Sequence, residues 1–366
     1  MKLALICRPF VFHGGVETAT AGLVGELEQR GHAVDLLTTA RQEPVPGVTV
    51  RPLPVLPGPR MARLLSFGLA ARWATRGHAY DIVQSHERTL RADIYRAGEG
   101  THRGYLEAMG RSHRPTSYHR FVMYLERRIF TLRSAKAIVA ISARGKAEIE
   151  RLYGTPPERV TLIYNGVDLA RFTPDKRARH RTAMRAELGV DAADWCVLFV
   201  GSGFERKGLG PLVDGLASMS DRRARLIVAG KGNQAPYAAQ AARLGLGDRV
   251  AFVGPRPDVD RLYAAADLVA LPARYEPFGN VHLEALASGV PVLSSAHAGG
   301  AELIRNGVNG WVVAEVSGPS VAEGLERLRS ADPTALTLQA RASAEPYTHA
   351  AQAERFEALY RNPAFH

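Results

Sequence analysis

The chain has 366 residues, of which 46% are hydrophobic and only two are cysteine, and it carries a net charge of +11. That length exceeds what one hydrophobic core usually serves, so two domains of about 150 to 200 residues each are expected. No run of about 18 apolar residues occurs, which excludes a membrane-spanning helix, and no low-complexity tract argues for long disorder.

The charge is unevenly placed. Residues 1–168 hold 24 basic and 15 acidic side chains, residues 169–366 hold 23 and 21, and Arg88 to Lys136 alone holds 11 against 4. A basic first half calls for an anionic partner, a membrane surface or an acidic substrate, unless it is simply a basic surface. Cys7 and Cys196 each lie inside an apolar run, LALIC and WCVLFV, so they read as core residues of a reduced, cytoplasmic protein. Met1-Lys2 leads straight into LALIC, which is too short for the apolar core of a signal peptide.

In chain order, residues 2–7 predict a first strand, 8–15 a glycine loop, 16–30 a helix and 32–38 a second strand. Gly14-Gly15 would let backbone approach a ligand at the carboxyl edge of a parallel sheet, although a glycine pair is equally a tight turn. A third strand at 48–53, a Pro-rich loop and a helix at 61–76 follow. Residues 81–86 predict a buried strand ending in His86, either a site residue or a hydrogen-bonded core histidine. Residues 90–105, RADIYRAGEGTHRGYL in part, show no clean period and predict a basic binding loop. Arg114 to Leu132 predicts a helix with Tyr118, Phe121, Val122, Leu125 and Ile129 on one face and arginines opposite. Residues 137–142 predict a strand, with Ser142 capping a helix at 143–153, and 160–164 a further strand.

A charged, aromatic-poor stretch, 169–192, predicts a linker and leading helix. A second α/β series then opens with a strand at 195–200 and the loop Gly201 to Gly208, whose glycines offer open N–H groups beside Arg206 and Lys207. GxxxxGK[ST] is absent, which removes support for a P-loop ATPase, and GxGxxG is absent, which disfavours a dehydrogenase. Strands at 225–229 and 250–253 follow. Asp258-Val-Asp260 has the DxD spacing of metal-dependent sugar transferases but stands before a helix, where it reads as an N-cap and a first-turn acid.

The densest stretch is Arg274 to Pro291, RYEPFGNVHLEALASGVP. Pro277 to Asn280 predicts a turn opening into a helix, with Glu276 in the loop and Glu284 one turn into the helix. Backbone N–H groups at that helix start form an anion site. A phosphate-attracting helix start flanked by two hydroxyl-accepting carboxylates suits a nucleotide-sugar, although spacing alone leaves both as solvated helix-end charges. A strand at 290–294, a helix starting at Gly299 to Glu302, a strand at 309–313 and a final amphipathic helix at 347–360 complete the reading.

These pieces together resemble a retaining glycosyltransferase of family 4, with the GT-B architecture of two Rossmann-like parallel-sheet domains facing across a cleft. The resemblance covers nearly the whole chain through Gly14-Gly15, NGVD (Asn165 to Asp168), GxGFxRKG (Gly201 to Gly208), Val253-Gly254, the Glu276 to Glu284 spacing, ASGVPV (Ala287 to Val292) and Gly299 to Glu302. It implies an acceptor-binding domain at 1–170, a linker and leading helix at 171–190, a nucleotide-sugar domain at 191–345 and a helix at 346–366 returning to the first domain. Residues 92–106 are similar to the acceptor loop of the lipopolysaccharide-core glucosyltransferase I group. Two positions depart from that group's pattern, since Ala19 and Glu99 stand where relatives carry Asp.

The resemblance implies that Arg206 and Lys207 neutralise the departing nucleoside diphosphate. Asn280 and the backbone of Phe278, Gly279, Asn280 and Val281 would hold it, with Gly15 and Gly203 giving close backbone approach. Glu276 would accept sugar hydroxyls, Glu284 ribose hydroxyls, Arg256 would meet the base and His86 the transferred sugar. Glu99, His102 and Arg103 would lie on the acceptor side. The implied reaction transfers a hexose, glucose from UDP-glucose, without a metal or other cofactor. Its acceptor would be an anionic glycolipid, with the enzyme held peripherally on the cytoplasmic face of the inner membrane by basic residues of the first domain. A mannosyl- or N-acetylhexosaminyl-transferase is the competing enzyme reading. Nucleic-acid binding has no helix-turn-helix, zinc or RNP signature to support it.

Overall fold

Apolar strand runs alternating with helical spacing build parallel sheets, because a parallel pair needs a crossover long enough for a helix. In this computed structural model, residues 1–9, 15–39, 42, 44–77, 80–131, 134–362 and 365 are described. The chain divides into two units: the first runs to Gly166 and takes back His349–His366, and the second spans Val167–Thr348.

The first unit contains β1 (Lys2–Ile6), α1 (Gly15–Gln29), β2 (Ala33–Thr38), β3 (Thr49–Pro52), α2 (Arg60–Ala74), β4 (Ile82–Ser85), β5 (Ala92–Arg96), α3 (His102–Ala108), α4 (Ser117–Phe130), β6 (Ala135–Ala140), α5 (Ala143–Tyr153) and β7 (Val160–Leu162). Its strands lie in the order β3-β2-β1-β4-β5-β6-β7, all parallel, with Leu5 registered against Leu36 on one side and Gln84 on the other. Central strands of such a sheet are covered on both faces and so lack alternation; Leu3 to Ile6 are all buried.

The second unit contains α6 (Asp175–Glu187), β8 (Trp195–Val200), α7 (Leu209–Ser218), β9 (Ala224–Ala229), α8 (Ala235–Arg243), β10 (Val250–Gly254), α9 (Val259–Ala265), β11 (Leu268–Leu271), α10 (Asn280–Ala287), β12 (Val292–Ser295), β13 (Gly310–Val313), α11 (Gly318–Arg329) and α12 (Pro333–Ala344). Its order is β10-β9-β8-β11-β12-β13, again parallel, with Leu198 registered against Ile227 and Val269. In each sheet the strand order reverses beside the first strand, at β1/β4 and at β8/β11. Ligands of such folds bind outside the carboxyl ends of the strands at that reversal.

Several expectations are corrected. Residues 90–105 are not a loop: β5 pairs with β4 and β6, and α3 follows with Thr101 as its cap, accepting from the Gly104 N–H. The strand period is obscured because Arg96, which ends β5, is 1% exposed and so occupies a core position. The helix expected to start at Gly299 is a short 3₁₀ turn, Gly299–Leu303. The basic helix spans Ser117–Phe130, with Val122, Leu125 and Ile129 buried; Leu132 and Gly14 lie outside the described residues. The leading helix expected within 169–192 is α6, held to the second unit. Its Arg177, Arg181 and Arg185, spaced four apart on one face, reach the Asp267 carboxylate at 2.9, 2.6 and 3.1 Å.

The last helix, α13 (His349–Tyr360), packs into the first unit. Ala353, Phe356 and Tyr360 join the core that contains Leu5, Leu23 and Leu36. Two glycines seat its first residue: a Cβ on Gly22 or Gly166 would come within 2.3 or 2.6 Å of His349.

Candidate functional site

The second unit assembles its polar groups where β8 and β11 part. After β8 the chain turns through Gly201 to Gly208 into α7. Gly203 and Gly208 have φ of +79° and +76°, the left-handed region that glycine tolerates. A Cβ on Gly208 would stand 1.9 Å from the Pro272 carbonyl oxygen, so this glycine lets the two loops touch. The Arg274 N–H donates to the Arg206 carbonyl at 2.8 Å, closing the contact.

On that frame Arg206 donates through Nη1 to Glu276 Oε2 at 3.0 Å and to the Tyr275 carbonyl at 2.7 Å. Lys207 Nζ lies 3.1 Å from the same Oε2. Two cations thus share one carboxylate oxygen, leaving a local surplus of positive charge, and no described residue donates to Oε1. Glu276 is 9% exposed and Lys207 8%. Burial pushes the Glu276 carboxyl up, but Lys207 and Arg206 outweigh it and hold its pKa at about 2, so it stays ionised.

The loop bearing Glu276 is tied to the next crossover by a short parallel bridge. The Glu276 N–H donates to the His297 carbonyl at 3.2 Å, Gly299 N–H to Glu276 at 2.9 Å and Gly300 N–H to Phe278 at 2.7 Å. Gly279 follows at φ +83°, with no side chain capping the start of α10, whose N-terminal end carries the positive pole of the helix dipole. His282, one turn in, explains why position 279 is glycine: a Cβ there would lie 2.6 Å from its ring. Its Nδ1 meets the Gly279 carbonyl and its Nε2 the Ser294 hydroxyl, each at 2.8 Å. The carbonyl can only accept, so Nδ1 donates and Nε2 accepts from Ser294. Burial pushes the His282 pKa down to about 4, and the neutral ring pins the turn.

Glu284 accepts from the Tyr263 hydroxyl at 2.7 Å; burial raises its pKa above the ordinary value, against that hydrogen bond. Arg256 lies after β10 and is fully engaged, forked onto Asp258 at 2.8 and 2.7 Å and reaching Glu187 at 2.7 Å. Asp258 therefore holds the N-cap position without capping through its side chain. Asp260 is the first-turn acid, ion-paired with Lys176 and Arg171.

In the first unit, His86 follows β4 and is 4% exposed. Its Nε2 lies 2.7 Å from the Gln84 amide nitrogen and its Nδ1 3.2 Å from the Thr20 hydroxyl, while Gln84 Oε1 accepts from Tyr360 at 2.7 Å. Burial, reinforced by Arg96, drives its pKa well below the ordinary value. It is thus a neutral histidine wired from α1 to α13. Ala19, beside Thr20, is 1% exposed.

Glu99 accepts from Arg8 at 2.6 Å and from Arg88 at 2.7 Å. Arg8 also holds Glu87 at 2.8 Å, and Arg88 holds the fully buried Glu126 at 3.0 Å. Glu126 in turn accepts from the His102 N–H at 2.6 Å and the Tyr153 hydroxyl at 2.5 Å. The His102 ring pairs with His119 at 2.8 Å. Arg103 turns away, to Glu107 at 3.3 Å and the Leu152 carbonyl at 3.1 Å.

Sequence reasoning missed His282, Ser294, Tyr263 and the partners Arg8, Arg88 and Glu126. His282 had a usable signal, three residues after a glycine that opens a helix. The others are joined across more distant elements, which spacing does not encode.

Two family profiles match the chain: glycosyl transferases group 1 over residues 180–345 and glycosyltransferase family 4 over residues 13–171. A probable transglycosylase of Burkholderia thailandensis is 31% identical over 302 residues, 82% of this chain and 78% of that protein. The lipopolysaccharide glucosyltransferase WaaG of Escherichia coli K12 is 27% identical over 320 residues, 86% of each. The crystal structure of WaaG, a glycosyltransferase involved in lipopolysaccharide biosynthesis, matches with a TM-score of 0.85 at 25% identity, covering 98% of this chain and 100% of that one. A structure of HepE from Anabaena in complex with UDP-glucose shares the fold, with a TM-score of 0.74 at 22% identity over 98% and 99% of the two chains.

Proposed function

The chain belongs to the family 4, group 1 glycosyltransferases of GT-B architecture, and from that premise we propose that it moves glucose from UDP-glucose to an anionic glycolipid of the lipopolysaccharide-core type. The observation that carries the donor side is the pair of cations on one carboxylate oxygen, Arg206 and Lys207 on Glu276, beside the uncapped start of α10. A diphosphate supplies the negative charge that this group lacks, and the helix start offers it backbone N–H groups. The glucosyl part of the reading follows the resemblance to WaaG, and the basic first half supports an anionic acceptor at a membrane.

The chemistry fits retention without a metal. The acceptor hydroxyl oxygen attacks the anomeric carbon from the face that the diphosphate leaves, the sugar–phosphate bond breaks, and the hydroxyl proton passes to a departing phosphate oxygen. Lys207 and Arg206 stabilise the charge that grows on that leaving group. Glu276, ionised at neutral pH, keeps both cations in place and offers Oε1 to a sugar hydroxyl. Glu284 takes the ribose hydroxyls, with Tyr263 orienting its carboxylate. Arg256 would meet the base only by leaving Asp258 or Glu187. The Glu99 network and His102 shape the acceptor side, with Arg103 more peripheral, and His86, its nitrogens engaged by Gln84 and Thr20, would meet the sugar only as a neutral ring.

The test is a donor screen by nucleotide release, using purified lipid acceptor, with and without a chelator. Release from UDP-glucose that persists in chelator and yields the α-configured product is expected. Activity only with a mannosyl or N-acetylhexosaminyl donor would overturn the glucose assignment.

A further inference from the structure

Helix α2 carries an apolar face that the first unit leaves uncovered. Its inner side, Phe67, Gly68 and Ala71, is buried, with Phe67 and Ala71 packed against Ile6, Leu37 and Leu53. On the outer side Met61, Leu65, Leu69 and Trp73 are exposed by 36, 42, 50 and 77%. They recur every fourth residue and so form one stripe. Leu56, on the approach to the helix, is 64% exposed. Scattered surface leucines need no explanation, whereas an aligned row on one helix does.

The charge beside the stripe is of one sign. The sequence holds no Asp or Glu between Glu43 and Asp81. Arg60, Arg63, Arg72 and Arg76 all fall in that span, and among the described residues none of them forms an ion pair. An apolar stripe with a Trp and unpaired arginines is the composition of a helix lying in the headgroup layer of an anionic bilayer. There the indole sits at the boundary and the guanidinium groups meet phosphates. A second copy of the chain is a poorer occupant, because a symmetric contact would set these arginines against their own counterparts.

We propose that α2 inserts its Met61 to Trp73 stripe into the interface of an anionic membrane. This deepens the glycolipid reading by naming the helix that carries the enzyme to its acceptor's surface. It adds an apolar contact to the general attraction of a basic domain.

The experiment is co-sedimentation of the full chain with phosphatidylcholine vesicles, with and without phosphatidylglycerol, in the absence of donor and acceptor. Binding to the anionic vesicles alone is expected, with a blue shift in tryptophan emission that Trp73→Phe removes. Trp73 is the reporter because Trp195 is buried and Trp311 half-buried. Leu69→Asp should weaken partition about tenfold or more, with an unchanged thermal midpoint because the site is exposed. Arg72→Glu should weaken it less, and added salt should erase that difference. Wild-type partition by Leu69→Asp, or no partition by the parent chain, would overturn the proposal. So would a dimer that Leu69→Asp dissociates and that ignores vesicles. Transfer to a soluble acceptor analogue separates the two readings: an active enzyme indifferent to vesicles defeats the insertion alone, and a vesicle-binding protein without transferase activity defeats the proposed reaction alone.

Discussion

The two sheets share a strand order and place polar side chains at the same reversal, yet their charge balance is opposite. In the second unit Arg206 and Lys207 face one carboxylate, Glu276. In the first, Arg8 and Arg88 are distributed over Glu87, Glu99 and Glu126. The second edge sets two cations against one carboxylate, whereas the first sets two against three. A shared fold therefore offers a place for a ligand, and the local balance of charge decides which ligand completes it.

The comparison breaks first at Lys207. Lys207→Ala or Glu276→Ala should lower transfer by about a thousandfold in a protein that still folds, although each breaks a buried ion pair and so lowers the unfolding midpoint. Near-wild-type turnover in either variant would remove the site from the second unit. The reverse pattern is expected at Arg88. Arg88→Ala strands the buried Glu126 carboxylate and should reduce stability by about 3 kcal/mol, read by denaturant unfolding, with donor binding intact.

Gly208→Ala sharpens the geometry of the second edge. Its φ of +76° and the 1.9 Å approach to the Pro272 carbonyl should cost about 2 kcal/mol, visible as a lower thermal midpoint. An unchanged midpoint would show that the two loops are not locked together.

A smaller effect concerns pH. The His282 pKa in the folded chain is about 4, below the ordinary 6.5, so the unfolded chain takes up the proton first. Stability from its neutral form is complete above about pH 6.5 and falls as pH drops toward 4. Glu276 acts lower: its contribution is present above about 4.5 and is lost as pH falls toward 2. Nitrogen chemical shifts should show a neutral His282 ring at pH 5, and titration near 6.5 would contradict the buried hydrogen-bonded assignment.

The second edge was legible in the sequence because its groups come in two short runs, Gly201 to Gly208 and Arg274 to Glu284. Each run carries glycines where backbone must turn or approach closely. The first edge was less legible because Arg8, Glu87, Arg88, Glu99 and Glu126 meet only after β1, β4, β5 and α4 come together. Arg96 hid a core strand, since a buried arginine that donates to Asn165 at 2.6 Å reads as surface charge until its neighbours are known. The leading helix α6 was legible, but not that its three arginines converge on one aspartate. Charge periodicity alone does not separate a solvated face from a satisfied one.

Calorimetric titration of UDP-glucose into the parent chain and Lys207→Ala tests the central claim most directly. Saturable binding by the parent and a loss of about a hundredfold in the variant, with both proteins folded at the titration temperature, is the predicted result. Equal affinity for both proteins would contradict it.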